Sequence, residues 1–263
     1  MDVALLQKRF ATIGARVKVA DVALDRFRRV RIGIDISNDK LGEYFDIRRE
    51  LGSSTSYEVI DVQPGIRHLL LISKGAGKFL CGHDERHWFV AAVPGTAITN
   101  VRTAMEALQP PEVRWAISRQ MKRKKNRFAR HNEVFVRQGE WFFIPRPDLV
   151  VKENLVFRNE PISRGNGSKP HMCQFVYRDG GVLVMVCDKH PRGLLMDHYF
   201  RLIRSNPKAA NWNWRQMRAN AAVYARGHVW HKDHKTIVLD VWHRVLINTE
   251  NQTQAGRHVV FLD

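Results

Sequence analysis

The spacing of apolar and polar residues changes period several times along the chain, and each change marks an element. Val3–Ile13 carries a helical stripe that stops near Gly14. The period then falls to two. Arg16–Val19, Val30–Ile36, Tyr44–Arg48 and Glu58–Val62 alternate as strands do. Arg67–Ser73 is a nearly unbroken apolar run, and Phe79–His83 and Trp88–Val93 flank the polar turn Asp84-Glu85-Arg86. Asn100 is placed to cap a helix over Val101–Leu108, which Pro110-Pro111 interrupts. Pro111 suits the first turn of a second helix, in which Val113, Ala116, Ile117 and Met121 share a face.

Further on, Glu133–Arg137 and Trp141–Pro145 read as a hairpin around Gln138-Gly139-Glu140, Leu149–Arg158 as a strand and Ser163–Pro170 as a loop. Cys173–Arg178 and Val182–Cys187 are predicted to pair around Asp179-Gly180-Gly181. Leu194–Arg204 and Trp212–Ala221 are predicted helices. Val223–His231 should pair with Lys235–Leu239, and a strand near His258–Leu262 should close the sheet. Strands joined by short turns pair antiparallel. With few helices set between strand groups, the fold class is α+β, mainly antiparallel sheets in two subdomains. The pattern divides into a β-rich part at 1–110, a basic helix or linker at 111–131 and an α+β part at 132–263.

Composition sets the limits. At 263 residues with 44% hydrophobic side chains, the chain can bury a sizeable core, and no apolar run is long enough to cross a bilayer. The N-terminal residues lack the pattern of a secretory signal. Three cysteines cannot close a disulfide framework, so Cys81, Cys173 and Cys187 are read as reduced thiols and the expected compartment is the cytoplasm.

Charge changes the picture most. The formal net charge is +17, and it is unevenly spread: residues 1–110 hold 16 basic and 13 acidic side chains, residues 111–263 hold 27 and 13. A basicity serving solubility alone would be even. One concentrated after Pro110 points to a polyanion, and a nucleic acid, RNA or DNA, is the expected partner. The near-neutral residues 1–110 are the expected docking part for a protein partner, and no membrane association is expected.

The densest run is Arg119, Lys122, Arg123, Lys124, Lys125, Arg127 and Arg130, at the end of the second predicted helix. Cations there also relieve the helix dipole, but one or two suffice for that; seven suit a phosphate backbone. Trp214, Arg215 and Arg218 repeat the mixture of aromatic and basic residues, which suits stacking on unpaired bases as well as burial.

Chemistry is concentrated in the hairpin of Val223–His231 and Lys235–Leu239. With Val229 opposite Ile237 and Gly227 opposite Leu239, the residues His231, Asp233, His234 and Lys235 gather at its tip. One imidazole can take a proton, a second can give one, and a lysine can offset charge on a phosphate, so no cofactor is needed for RNA cleavage. A polar turn in a histidine-rich protein is the plainer reading. A metal shared by His231 and His234, with His228 or His243 as third ligand, is another. A separate zinc set is formed by His171, Cys173, Cys187 and His190, if the 173–187 hairpin brings the two thiols together. Cys81-Gly82-His83-Asp84-Glu85-Arg86-His87-Trp88 is either a charged turn with a core thiol or an acid–base or metal site. Phosphate-loop, dinucleotide and serine-hydrolase motifs are absent. The leading expectation is a nucleic-acid-processing hydrolase, either a nuclease or a glycosylase with Asp233, Asp84 or Glu140 as its carboxylate. The alternative is a non-catalytic nucleic-acid-binding or ribonucleoprotein component, zinc-stabilised or not.

Overall fold

The computed structural model describes residues 2–23, 33–52, 54–74, 77–164 and 169–250. The expected strand near His258–Leu262 lies outside them, as does part of the 163–170 loop. The fold is α+β with sheets that are almost wholly antiparallel. Two compact units form, residues 1–115 with the segment that begins at Asn248, and residues 116–247. Among the described residues no helix is long and apolar enough to cross a membrane.

In the first unit, α1 (Val3–Ala11) is capped by the Asp2 carboxylate, which accepts from Leu5 N–H. Strands β1 (Val17–Val22), β2 (Gly33–Asp39) and β3 (Gly42–Glu50) form a sheet in the order β1-β3-β2. Here β1 runs parallel to β3, against the antiparallel rule elsewhere. A second sheet is the meander β4 (Tyr57–Gln63), β5 (His68–Ser73), β6 (Gly77–Asp84) and β7 (His87–Val93). Its strand β5 reads as continuous apolar sequence because both of its faces are buried. Leu69 and Leu71 pack with Phe10, Phe45 and Ile47, whereas Leu70 packs with Leu80, Val101 and Ala104 of α2 (Val101–Leu108). Asn100 caps α2 as expected, in a reciprocal pair with Thr103. After Ile247 the chain returns to this unit, where Thr249 N–H donates to Leu108 C=O.

Helix α3 (Pro111–Gln120) carries the division between the units, and its Val113, Ala116 and Ile117 are buried with Met121 beyond it, the face predicted. The helix ends at Gln120, so the basic run after Arg119 does not continue it; Lys124–Asn126 form one 3-10 turn.

The second unit is built on a six-stranded antiparallel sheet. In chain order its strands are β8 (Val136–Gln138), β9 (Trp141–Pro145), β10 (Val156–Ile162) and β11 (His171–Asp179); β15 (Ala222–His231) and β16 (His234–Ile247) follow later. Across the sheet they lie β10-β11-β15-β16-β9-β8. One face buries Trp141, Phe143, Cys173, Val176, Ala225, Val229 and Leu239. A three-stranded sheet, β13-β12-β14, uses β12 (Val182–Cys187), β13 (His190–Leu195) and β14 (Arg215–Ala219), with α4 (Met196–Ser205) between β13 and β14.

Two expectations fail here. β11 and β12 do not form a hairpin. Gly180 and Gly181, at φ 67° and 81°, carry the chain out of the large sheet and into the small one. Trp212–Ala221 is not helical, since Asn213 takes a left-handed conformation (φ 43°) and Arg215–Ala219 extend along β12.

Candidate functional site: three imidazoles at the joined tips of two hairpins

The β15–β16 hairpin has the predicted register, Val229 opposite Ile237 and Gly227 opposite Leu239. A bulge between Val229 and His231 then sets His231 opposite His234, so the turn is Lys232-Asp233 and not three residues. A second tight hairpin, β8–β9, turns at Gly139-Glu140 with Gln138 opposite Trp141. Gln138 ties the two tips together. It is fully buried, and its amide donates to the carbonyls of Val229 (3.2 Å) and Lys235 (2.7 Å). His171, the first residue of β11, enters between them, edge-on to Trp141 at 6.2 Å.

The result is a cluster of three imidazoles. His171 and His231 stack with ring centres 4.2 Å apart, His231 and His234 lie 4.9 Å apart, and His171 and His234 5.4 Å. One ligating nitrogen from each ring falls within 4.8 Å of the other two. The rings approach this closely because residue 139 is glycine. A Cβ there would stand 2.8 Å from His234 Nε2 and 3.4 Å from His171 Nε2.

His171 decides what the cluster can do. Its ring is 1% exposed, and neither nitrogen has a hydrogen-bond partner among the described residues. Gln138 Oε1 and Trp141 Nε1 beside it are buried in the same condition. Buried polar atoms are nearly always satisfied, so several orphans at one place mark a site for a polar ligand. Burial, aided by the neighbouring imidazoles of His231 and His234, pushes the His171 pKa down to about 3. His231 is shifted the same way, again mainly by burial, while Asp233 and Glu140 oppose the shift. Neutral imidazole is the form that binds a metal.

Three imidazoles are the donor set of an open zinc-type centre, which leaves a fourth position for water or substrate. Tetrahedral coordination would bring the nitrogens to about 3.3 Å from one another, given bonds of about 2.0–2.1 Å. The nitrogens, now within 4.8 Å of one another, would draw together by up to about 1.5 Å. His231 would also exchange a bond, because its Nδ1 accepts from Asp233 N–H at 3.1 Å. The Asp233 carboxylate is paired with Lys169 at 2.7 Å.

Of the residues expected to be catalytic, His231, Asp233 and His234 are at this site. The Lys235 side chain is exposed, and its carbonyl accepts from Gln138. The expected zinc set does not assemble. His171 and Cys173 lie in the large sheet, while Cys187 and His190 face each other across β12 and β13 in the small one. Cys173 is a core thiol whose pKa burial pushes up to about 12. His190 stacks near-parallel with Trp212 and Trp214. The proposed third ligands are elsewhere too: His228 is engaged by Gln174, and His243 by the Val241 carbonyl. In the first unit Cys81 is buried in the core and His87 pairs with Glu43, and among the described residues the turn at 81–87 gathers no set of metal ligands. Sequence reasoning did not single out Gln138 and Gly139, and it grouped His171 with Cys187 and His190, which lie in the other sheet of the unit.

The basic residues are only partly grouped. Arg119, Lys122, Arg123 and Lys125 are exposed and Arg127 and Arg130 half-buried, with Arg127 over the Phe128 ring; the Lys124 side chain lies outside the described part. Arg215 and Arg218 are exposed on β14. Trp214 is held inside a small aromatic cluster, its indole N–H donating to Ala209 C=O at 2.7 Å, so it is not a free stacking platform. Compared with models of known families, with curated proteins and with solved structures, the chain matches none.

Proposed function

We propose that the second unit is a metal-dependent hydrolase centre acting on phosphodiesters of a nucleic acid, with the ion held by His171, His231 and His234. One observation carries the reading: His171 is a buried imidazole with both nitrogens unbonded, converging with two more imidazoles that a glycine lets approach. A polar turn on a basic protein explains exposed histidines, but it leaves the orphaned buried one unexplained. A bound divalent ion would supply a hydroxide near neutral pH and polarise a phosphoryl oxygen. Glu140, whose charge acts on His231, is the carboxylate suited to accept the proton of that water. The substrate class follows from charge: the excess of basic residues after Pro110 favours a polyanion.

The test is metal content followed by turnover. Protein loaded with Zn²⁺ or Co²⁺ and desalted should retain close to one equivalent, and Co²⁺ should show visible bands of low-coordinate nitrogen ligation. H171A and H234A should lose both while remaining folded. Labelled RNA and DNA strands should then be cleaved by loaded wild-type protein and not by either variant. Retention of the ion by the H171A/H234A pair would refute the site. A loaded protein that cleaves neither nucleic acid would refute the substrate class alone.

A second reading keeps the imidazoles as a metal-free acid–base pair. It is favoured by the Asp233 amide, which holds His231 in one tautomer. Cleavage that survives a chelator at full rate would select it.

A further inference from the structure

The large sheet has a second face, which the imidazole centre does not use. Core residues Val176, Val223, Ala225 and Val245 alternate along their strands with residues of a different kind on the opposite side. Cross-strand register sets these into two rows. One runs Val156, Tyr177, Tyr224, Arg244; the other runs Arg158, Phe175, Arg226, with Trp242 beside it. Nearly every ring in these rows has a guanidinium over it. Arg158 and Arg226 both lie on Phe175, at 5.3 and 5.5 Å, Arg226 also lies 4.8 Å from the Trp242 ring, and Arg244 is 5.4 Å from Tyr224.

Arginines on aromatic rings can serve simply to shield an apolar sheet from water. That role does not require charge, and aliphatic or amide side chains would meet it. It also leaves the cations uncompensated. Among the described residues Arg158 and Arg226 have no carboxylate partner, in contrast to Arg178 on the other side of β11, which is paired with Glu160 at 3.0 Å. At the end of this face Asp179 is engaged by the Tyr177 hydroxyl, and Asp240, two residues before Trp242 on β16, is exposed. A guanidinium held against an aromatic ring keeps its charge and its N–H donors, which a phosphate can then engage. Neighbouring strands are about 4.8 Å apart, so the backbones of Arg158 and Arg226, two strands apart, are about 10 Å from each other.

We infer that this face binds the phosphate backbone of a nucleic acid, independently of base sequence. Charge complementarity selects the occupant. Three guanidiniums on a four-strand surface suit repeated phosphates better than bases, because Phe175 and Tyr224 have guanidiniums beside them and Tyr177 and Trp242 are buried. The inference rests on the polyanion part of the proposed function but not on the metal, since none of these residues touches the imidazole cluster.

The experiment measures binding of labelled 20-nucleotide RNA and DNA strands by fluorescence anisotropy over a salt series. Wild type is compared with R158A/R226A/R244A and with R158K/R226K/R244K. Loss of three phosphate contacts from a single strand should lower the slope of log affinity against log salt by about 2, which is about a hundredfold at 0.1 M relative to 1 M salt. The lysine triple should keep most of the slope and lose affinity at every salt concentration, because it retains charge but not the stacked fork. It also guards against a folding artefact in the alanine triple, as does an unchanged metal content in both. Homopolymers of different base should bind wild type alike. If wild type binds and the alanine triple keeps its full slope, this face is not the contact and the inference fails while the polyanion reading stands. If wild type binds no strand at low salt, the polyanion reading fails and this inference fails with it.

Discussion

Gly139 shows how much a single residue can decide. It sits at φ +57°, where a side chain is strained, and its missing Cβ is the space into which His234 and His171 point. Gly139→Ala should therefore cost about 1–2 kcal/mol in stability from the left-handed backbone. It should also weaken ion retention well beyond what that loss explains, because His234 Nε2 must move. Denaturant unfolding and metal titration on the same sample separate the two effects, and unchanged retention would show that His234 is not a ligand. His243 makes a different kind of prediction. It is buried, and burial lowers its pKa, with His131 adding to the shift and Asp240 and the Val241 carbonyl opposing it. The unfolded chain takes up the proton first, so this residue's contribution is intact above about pH 6.5 and is lost as pH falls below it. Between pH 7 and 5 the stability of His243→Gln should fall less steeply than that of wild type, by at most about 1.4 kcal/mol per pH unit. Urea midpoints at three pH values would show it, and parallel curves would contradict it.

Elements were readable where their cause is local. The helix over Val101–Leu108 was found to the residue because its cap, Asn100, and the proline that stops it are neighbours in sequence. The β15–β16 register followed from alternation alone up to Val229, and then slipped at a bulge that alternation cannot show. The failures have a common form. Asp179-Gly180-Gly181 carries the composition of a hairpin turn, but the same φ > 0 glycines equally let a chain leave one sheet for another. Arg215–Ala219, within the expected helix, became a strand because β12 offered an edge, and pairing overrides weak propensity. Strand β5 shows the opposite case, in which a continuous apolar run reports burial on both faces. Leu70→Ala should accordingly cost about 2–5 kcal/mol, as full burial implies. Chemical denaturation would register this as a lower midpoint at constant slope, and a loss under 1 kcal/mol would mean the α2 side of the sheet is loosely packed.

At the scale of the molecule, charge is the property that needs no structure. Neutralising Lys122, Arg123, Lys125 and Arg127 to glutamine should reduce the salt slope of nucleic-acid binding by up to about 3, with no change in metal content. A slope that stays unchanged would place the contact elsewhere on the second unit. Sequence by itself determined the α+β class, most strands and helices, the excess of positive charge after Pro110 and the gathering of His231 and His234 at one hairpin tip. All of these depend on neighbouring residues or on sums over the chain. Tertiary structure alone decided that His171 joins them, that Cys173 and Cys187 part into different sheets, that Gln138 locks two tips together and that the arginines of β10, β15 and β16 share a face. Those outcomes depend on which strands lie side by side, here β11 against β15 and β12 against β14. Strand order is set by the competition of whole faces for burial, and no short window of sequence contains it.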